Sequence, residues 1–181
     1  MTHVASPRQT DALAEFLRLN EIQKMLVEEA AVLDQPDYRR WLTFLTPDVR
    51  YWMPIRSTRA AGDTQSEFTK RGEPAFYDET FRDLESRVVK LESGWSWSED
   101  PPSRTRRFVS NLRILETRSD TDVTAETNLM LYRARLDNRG DYWSARRVDE
   151  LRCVDQSWKI AGRSIFIDHT VLSTNNLGVF F

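Results

Sequence analysis

The stretch Asp141-Tyr-Trp-Ser-Ala-Arg-Arg-Val-Asp-Glu-Leu-Arg-Cys-Val-Asp-Gln-Ser-Trp-Lys-Ile-Ala-Gly-Arg-Ser-Ile-Phe-Ile-Asp-His169 decides the fold. Residues 141–154 and 157–169 read as two strands parted only by Asp155-Gln156. A two-residue turn between long strand-like runs makes an antiparallel pair. Working backwards, residues 105–116 and 124–136 read the same way, separated by Ser119-Asp-Thr-Asp122 and Asp137-Asn-Arg-Gly140. The four segments predict an antiparallel meander. Strands about twice the usual length cannot stay flat, so the sheet is expected to curl around whatever covers its concave face.

On residues 141–154 one face reads Tyr142, Ser144, Arg146, Val148, Glu150 and Arg152; the other reads Trp143, Ala145, Arg147, Asp149, Leu151 and Cys153. Neither is a clean core face or a clean solvent face. Such mixed aromatic and Arg/acid rows fit a subunit contact, where aromatic residues and Arg anchor and charge pairs set register. Eleven arginines fall between Arg104 and Arg152, and the chain holds 22 arginines against four lysines. The planar fork of Arg suits carboxylate pairing better than Lys does.

The first half supplies the cover. Residues 1–19 read as an N-terminal arm with a short helix, and 20–181 as one α+β domain. Asn20 is the expected N-cap of a helix to about Leu33, carrying Ile22, Met25, Leu26 and Leu33. Pro36 suits the first turn of a short helix with Tyr38, Trp41, Leu42 and Leu45, which Thr46-Pro47 ends. Residues 49–56 alternate as a strand, and Pro54 makes it an edge strand or places a bulge. Residues 57–74 read as a long polar loop. Asp78 caps a helix to Leu91 with Phe81, Leu84, Val88 and Leu91 buried. Helices and a strongly bent antiparallel sheet in this order look like the nuclear-transport-factor-2-like (cystatin-like) cone.

Composition narrows the function. The chain has 181 residues and a net charge of −2, with a sequence pI near 5.8, which removes the electrostatic reason to propose nucleic acid. No apolar run is long enough for a membrane span, and the N-terminus lacks the apolar core of a signal peptide, so a cytoplasmic location is expected. With one cysteine, Cys153, and two histidines, His3 and His169, neither a disulfide within the chain nor an iron–sulfur centre on four side chains of these types is possible.

Interior cavities in cones of this kind raise one catalytic reading, an isomerase- or dehydratase-like site using Asp34, Tyr38 or His169, with Trp41, Tyr51 and Tyr132 nearby. The bland roles weigh more: core packing for Tyr38 and Trp41, a turn role for Asp34 beside Pro36, cross-strand packing for Tyr51 and Tyr132, and a structural His169. Cys153 reads as an inert thiol.

The run Gly94-Trp-Ser-Trp-Ser-Glu-Asp-Pro-Pro-Ser-Arg-Thr-Arg-Arg-Phe-Val-Ser-Asn111, with Tyr51-Trp-Met-Pro-Ile-Arg56 before it and Leu172-Ser-Thr-Asn-Asn-Leu-Gly-Val-Phe-Phe181 after it, resembles the small (β) subunit of Rieske-type aromatic-ring-hydroxylating dioxygenases, nearest the biphenyl/toluene/naphthalene branch. Glu28-Glu-Ala-Ala-Val-Leu-Asp34 and Tyr38-Arg-Arg-Trp-Leu42 add to the likeness. The resemblance implies a non-catalytic structural subunit of a terminal oxygenase that makes arene cis-dihydrodiols in aromatic hydrocarbon catabolism. It implies an α3β3 assembly on a β trimer. The large α subunit would hold the Rieske 2Fe-2S cluster and the mononuclear Fe(II), fed from NAD(P)H through reductase and ferredoxin. No catalytic, cofactor or metal residue is expected in this chain. Trp95, Trp97, Arg104, Arg106, Arg107, Asn175, Phe180 and Phe181 are the expected subunit-contact residues.

Overall fold

The computed structural model describes residues 7–57, 67–93, 103–135, 139–170 and 178–181. Its elements run α1 (Pro7–Asp34), α2 (Tyr38–Leu42), β1 (Leu45–Pro54), β2 (Ala75–Thr80), α3 (Phe81–Glu92), β3 (Arg104–Thr117), β4 (Asp122–Arg135), β5 (Arg139–Val154) and β6 (Ser157–Ile167). The strands form one sheet in the order β2-β1-β6-β5-β4-β3. All neighbours are antiparallel except β1 and β6, which run parallel. The expected meander is therefore β3 to β6. Asp155 and Gln156, both at positive φ (49° and 62°), make the turn that sets Val154 opposite Ser157.

The expected break at Asn20 does not exist. One helix runs from Pro7 to Asp34, because no proline or glycine interrupts it and Pro7 suits a first turn. Its second half buries Ile22, Leu26, Val32 and Leu33 against the sheet, whereas Leu13, Phe16 and Leu17 stay exposed. Pro36 precedes α2 rather than opening it; Asp37 is the N-cap and accepts from the Arg40 backbone N–H at 3.2 Å.

Thr46-Pro47 lies inside β1, not at a helix end, and β1 is no edge strand, because β2 pairs along its free side. Pro54 does sit at a register shift. β2 lies beyond the expected loop, over residues 75–77, for which no element was expected, and the first residues of the expected helix. Its six residues are mostly half-buried and show no alternation. Thr80 rather than Asp78 caps α3: the Asp83 carboxylate accepts from the Thr80 backbone N–H at 2.8 Å and from its hydroxyl at 2.6 Å.

β3 bends at a bulge. Ser110 pairs with Asn128 and Arg113 with Glu126, so Asn111 and Leu112 together face Thr127. Asn111 takes φ +55°, a left-handed conformation that Asn tolerates better than most residues. The extra residue flips the alternation: Arg106, Phe108 and Ser110 face outward before the bulge, Arg113 and Leu115 after it. The curled sheet brings α1 across its concave side, where Asp34 reaches Arg107 on β3 and Glu29 reaches Arg163 on β6.

Candidate functional site

The concave side is not purely apolar. On β5, Trp143, Ala145, Arg147, Asp149 and Leu151 all point inward and are buried. This corrects the reading of that row as a subunit contact: it is an interior face carrying charge. Two buried charges seldom survive without close pairing, and here they are paired. Arg163 of β6 gives all five of its N–H donors: to Glu29 Oε1 (2.6 Å) and Oε2 (2.9 Å), to Asp149 Oδ1 (2.7 Å) and Oδ2 (2.9 Å), and to the backbone oxygen of Phe181 (2.9 Å). The Trp41 indole N–H donates to Glu29 Oε1 at 3.0 Å. Burial alone would push the Glu29 carboxyl up, but Arg163 and Arg147 hold it below its ordinary value. Burial likewise opposes the Arg163 charge, and Asp149 and Glu29 outweigh it.

Arg147 is gripped less firmly. Its Nε donates to Thr127 Oγ1 at 3.4 Å, and its terminal nitrogens stand 3.8 Å from Glu29 and Asp149. The four side chains sum to no net charge. The arrangement locks α1 to β5 and β6 and presents no free acid or base to a substrate.

The expected contact residues divide sharply. Arg104 and Arg106 are exposed on the outer side of β3. Arg107 points inward, where its Nη1 donates to Asp34 Oδ1 at 2.6 Å and its Nη2 to the Phe180 carbonyl at 2.6 Å. Phe180 and Phe181 are buried inside the same chain. The Phe180 ring stacks on Trp41 with centroids 4.1 Å apart, and the Phe181 ring meets Trp143 edge-on at 6.0 Å. The side chains of Arg107, Phe180 and Phe181 are thus buried within this chain, whereas Arg104 and Arg106 remain on its surface. Trp95, Trp97 and Asn175 lie outside the described residues, as do His3, residues 58–66 of the expected loop and the rest of the tail through residue 177.

The alternative catalytic set is not assembled. Asp34 is taken up by Arg107 and by the Thr105 hydroxyl at 3.1 Å, and its other oxygen accepts the Arg107 backbone N–H at 2.9 Å. Tyr38 packs edge-on to Phe180. The Tyr51 hydroxyl accepts from the Phe181 N–H at 2.7 Å and donates to the Phe181 oxygen at 3.2 Å. Tyr132 lies against Tyr142 on the other side of the sheet, and His169 is exposed beyond the end of β6. Among the described residues no group of three or more His, Cys, Asp or Glu side chains is placed to hold a metal ion. Cys153 is half-buried and free.

Among the described residues, no helix covers the large side chains exposed on the outer face of the sheet. Phe108, Met130 and Tyr142 are each more than half exposed there. Beside them Trp52 and Phe68 meet Phe166 edge-on, with Arg146 over the Phe166 ring at 4.1 Å and Arg71 over Trp52 at 4.9 Å. Glu126 sits between Arg113 (2.6 Å) and Arg146 (3.1 Å). Sequence reasoning gave Asp149 no interior place and did not single out Phe108 or Arg163. Parity was the available signal: Arg147 and Asp149 share a face with Trp143 and Leu151, and Arg163 with Ile165 and Ile167.

The sequence and the fold are both similar to those of known proteins. Residues 28–174 match the family described as "Ring hydroxylating beta subunit". The chain belongs to that family. It is 34% identical over 164 residues to the benzene 1,2-dioxygenase subunit beta of Pseudomonas putida, covering 90% of this chain and 88% of that one. It is 33% identical to the biphenyl 2,3-dioxygenase subunit beta of Rhodococcus jostii (strain RHA1), with the same coverage. A solved structure of naphthalene 1,2-dioxygenase with indole bound in the active site superposes with a TM-score of 0.79 at 27% identity, and covers the whole of both chains. The ring-hydroxylating β subunit is thus an α+β cone of the nuclear-transport-factor-2-like class, as the order of its elements predicted. No described helix is long and apolar enough to cross a membrane.

Proposed function

We propose that this β subunit is a non-catalytic scaffold of the terminal oxygenase of a multicomponent aromatic-ring dioxygenase, cytoplasmic and inactive by itself. The observation that carries the reading is the filled concave side. Where a cavity enzyme of this shape would need room and an available acid or base, Glu29, Asp149 and Arg163 saturate one another and Phe180 and Phe181 close the space. The large α subunit would carry the Rieske 2Fe-2S cluster and the mononuclear Fe(II), with electrons arriving from NAD(P)H through reductase and ferredoxin. This chain does not fit those groups: a Rieske centre takes two cysteines and two histidines, and the sequence offers one cysteine. Its own contribution is shape.

Three copies would meet as a β trimer under three α subunits. The uncovered sheet face supports that use, since exposed Phe108, Met130 and Tyr142 beside Arg104 and Arg106 are the residue types that anchor interfaces. Co-expression with the large subunit tests the reading. Co-purification as a hexamer-sized species, with iron in the complex and none in the isolated small chain, is the expected result. Arene oxidation by the isolated chain would overturn it.

A further inference from the structure

Residues 178–181 belong to no helix or strand, yet residues 179–181 are buried in the middle of the core. Their carbonyl oxygens accept from side chains instead of from a strand ladder. Arg87 of α3 donates to the Val179 carbonyl at 3.3 Å, Arg107 of β3 to that of Phe180 at 2.6 Å, and Arg163 of β6 to the oxygen of Phe181 at 2.9 Å. The Phe180 ring lies between the Trp41 ring and the Arg87 guanidinium, which stands 4.4 Å from its centroid.

Each arginine that grips the segment is also fastened independently of it. Arg87 pairs with Glu79 at 2.6 Å, Arg107 with Asp34 at 2.6 Å, and Arg163 with Asp149 and Glu29. Trp41 is held by Glu29. The walls are therefore organised by the helices and the sheet, and the segment is what they hold. Three guanidinium groups aimed at successive carbonyls, with aromatic faces between them, make a receptor for an extended aromatic peptide.

We propose that the cone interior is a binding site for an aromatic peptide segment, occupied in this chain by its own residues 179–181, and that this occupant detaches while the sheet stays folded. This holds whether or not the chain acts as a scaffold, because every group involved lies within one polypeptide.

Native-state hydrogen exchange on the full chain is the deciding measurement. The Phe181 amide, bonded to the Tyr51 hydroxyl, should exchange at least about tenfold faster than the Ile165 amide of β6, and with little dependence on urea, as local opening requires. Equal rates with equal urea dependence would overturn the proposal, since the segment would then leave only when the whole fold does. A second arm uses a chain stopped after Gly178 and the peptide N-acetyl-Val-Phe-Phe. If that chain folds, the peptide should raise its Tm saturably by about 3 °C or more, and N-acetyl-Val-Ala-Ala should not. A folded, truncated chain indifferent to the peptide would also overturn it. Should the shortened chain not fold, the exchange rates of the full chain decide alone.

Discussion

Arg163 and Glu29 face each other through two parallel hydrogen bonds of 2.6 and 2.9 Å, and neither side chain is exposed to solvent. Breaking such a pair from one side leaves a buried charge without its partner, which costs about 3–5 kcal/mol. Arg163→Met should therefore lower the unfolding free energy by an amount in that range, and Glu29→Gln by less, because Asp149 still holds the arginine. The double variant should cost clearly less than the sum of the two. Urea unfolding of the four proteins of the cycle checks this; strict additivity would mean that the two groups do not stabilise each other.

The depressed carboxyl of Glu29 ties stability to acidity. Its folded pKa lies below the ordinary 4.5, so the stabilisation is fully present above that value and is lost as pH falls through the folded pKa. The urea midpoint should fall progressively as the pH is lowered below the ordinary 4.5, and Glu29→Gln should show a shallower fall over the same range. Parallel pH curves for the two proteins would assign the acid sensitivity to other carboxylates.

Asn111 holds its left-handed conformation in the middle of a strand, where the bulge reverses which side chains face outward. Asn111→Gly should leave stability within about 0.5 kcal/mol, since glycine enters this region freely. Asn111→Val should lose about 1–2 kcal/mol, because a β-branched side chain crowds the backbone at positive φ. Thermal unfolding of both variants gives the comparison; a valine variant as stable as the parent would mean that the bulge is not fixed at this residue.

How much of this was legible in the sequence follows from how far each signal reaches. The four strands of the meander announced themselves because period two persists over long runs of each, broken in β3 only where the bulge shifts its parity, and turn residues stand between them. β2 did not, since six residues without alternation carry no period, and its existence depends on pairing with β1. The continuity of α1 was missed for a different reason: a short helix was read before Asn20, but Leu13, Phe16 and Leu17 are exposed while Ile22, Leu26 and Leu33 are buried, so the apolar stripe does not run on from one half to the other. The interior charges were misplaced because an arginine and an aspartate look alike in sequence whether solvated or buried. Only their common parity with Trp143 and Leu151 told them apart, and it was outweighed by their charge. The Phe-Phe tail was rightly expected to dock; that it docks in its own chain depended on Arg107 turning inward, which the neighbouring Arg106 does not.

That adjacency gives the most discriminating test of the scaffold reading. Arg106 and Arg107 are consecutive, and only Arg107 is buried, bonded to Asp34 and to the Phe180 carbonyl. Arg107→Glu would set a second buried carboxylate beside Asp34, so loss of folded protein is expected. Arg106→Glu alters an exposed position and should change the chain's own stability by no more than about 0.5 kcal/mol. If the outer side of β3 meets another subunit, the same change should shift the assembly with the large subunit toward smaller species on a sizing column. Thermal unfolding of the isolated chain, run beside sizing of the co-expressed complex, separates the two effects. An Arg106→Glu complex that stays intact would remove Arg106 from the interface, and the contact would then have to lie elsewhere on the sheet, around Tyr142 and Met130.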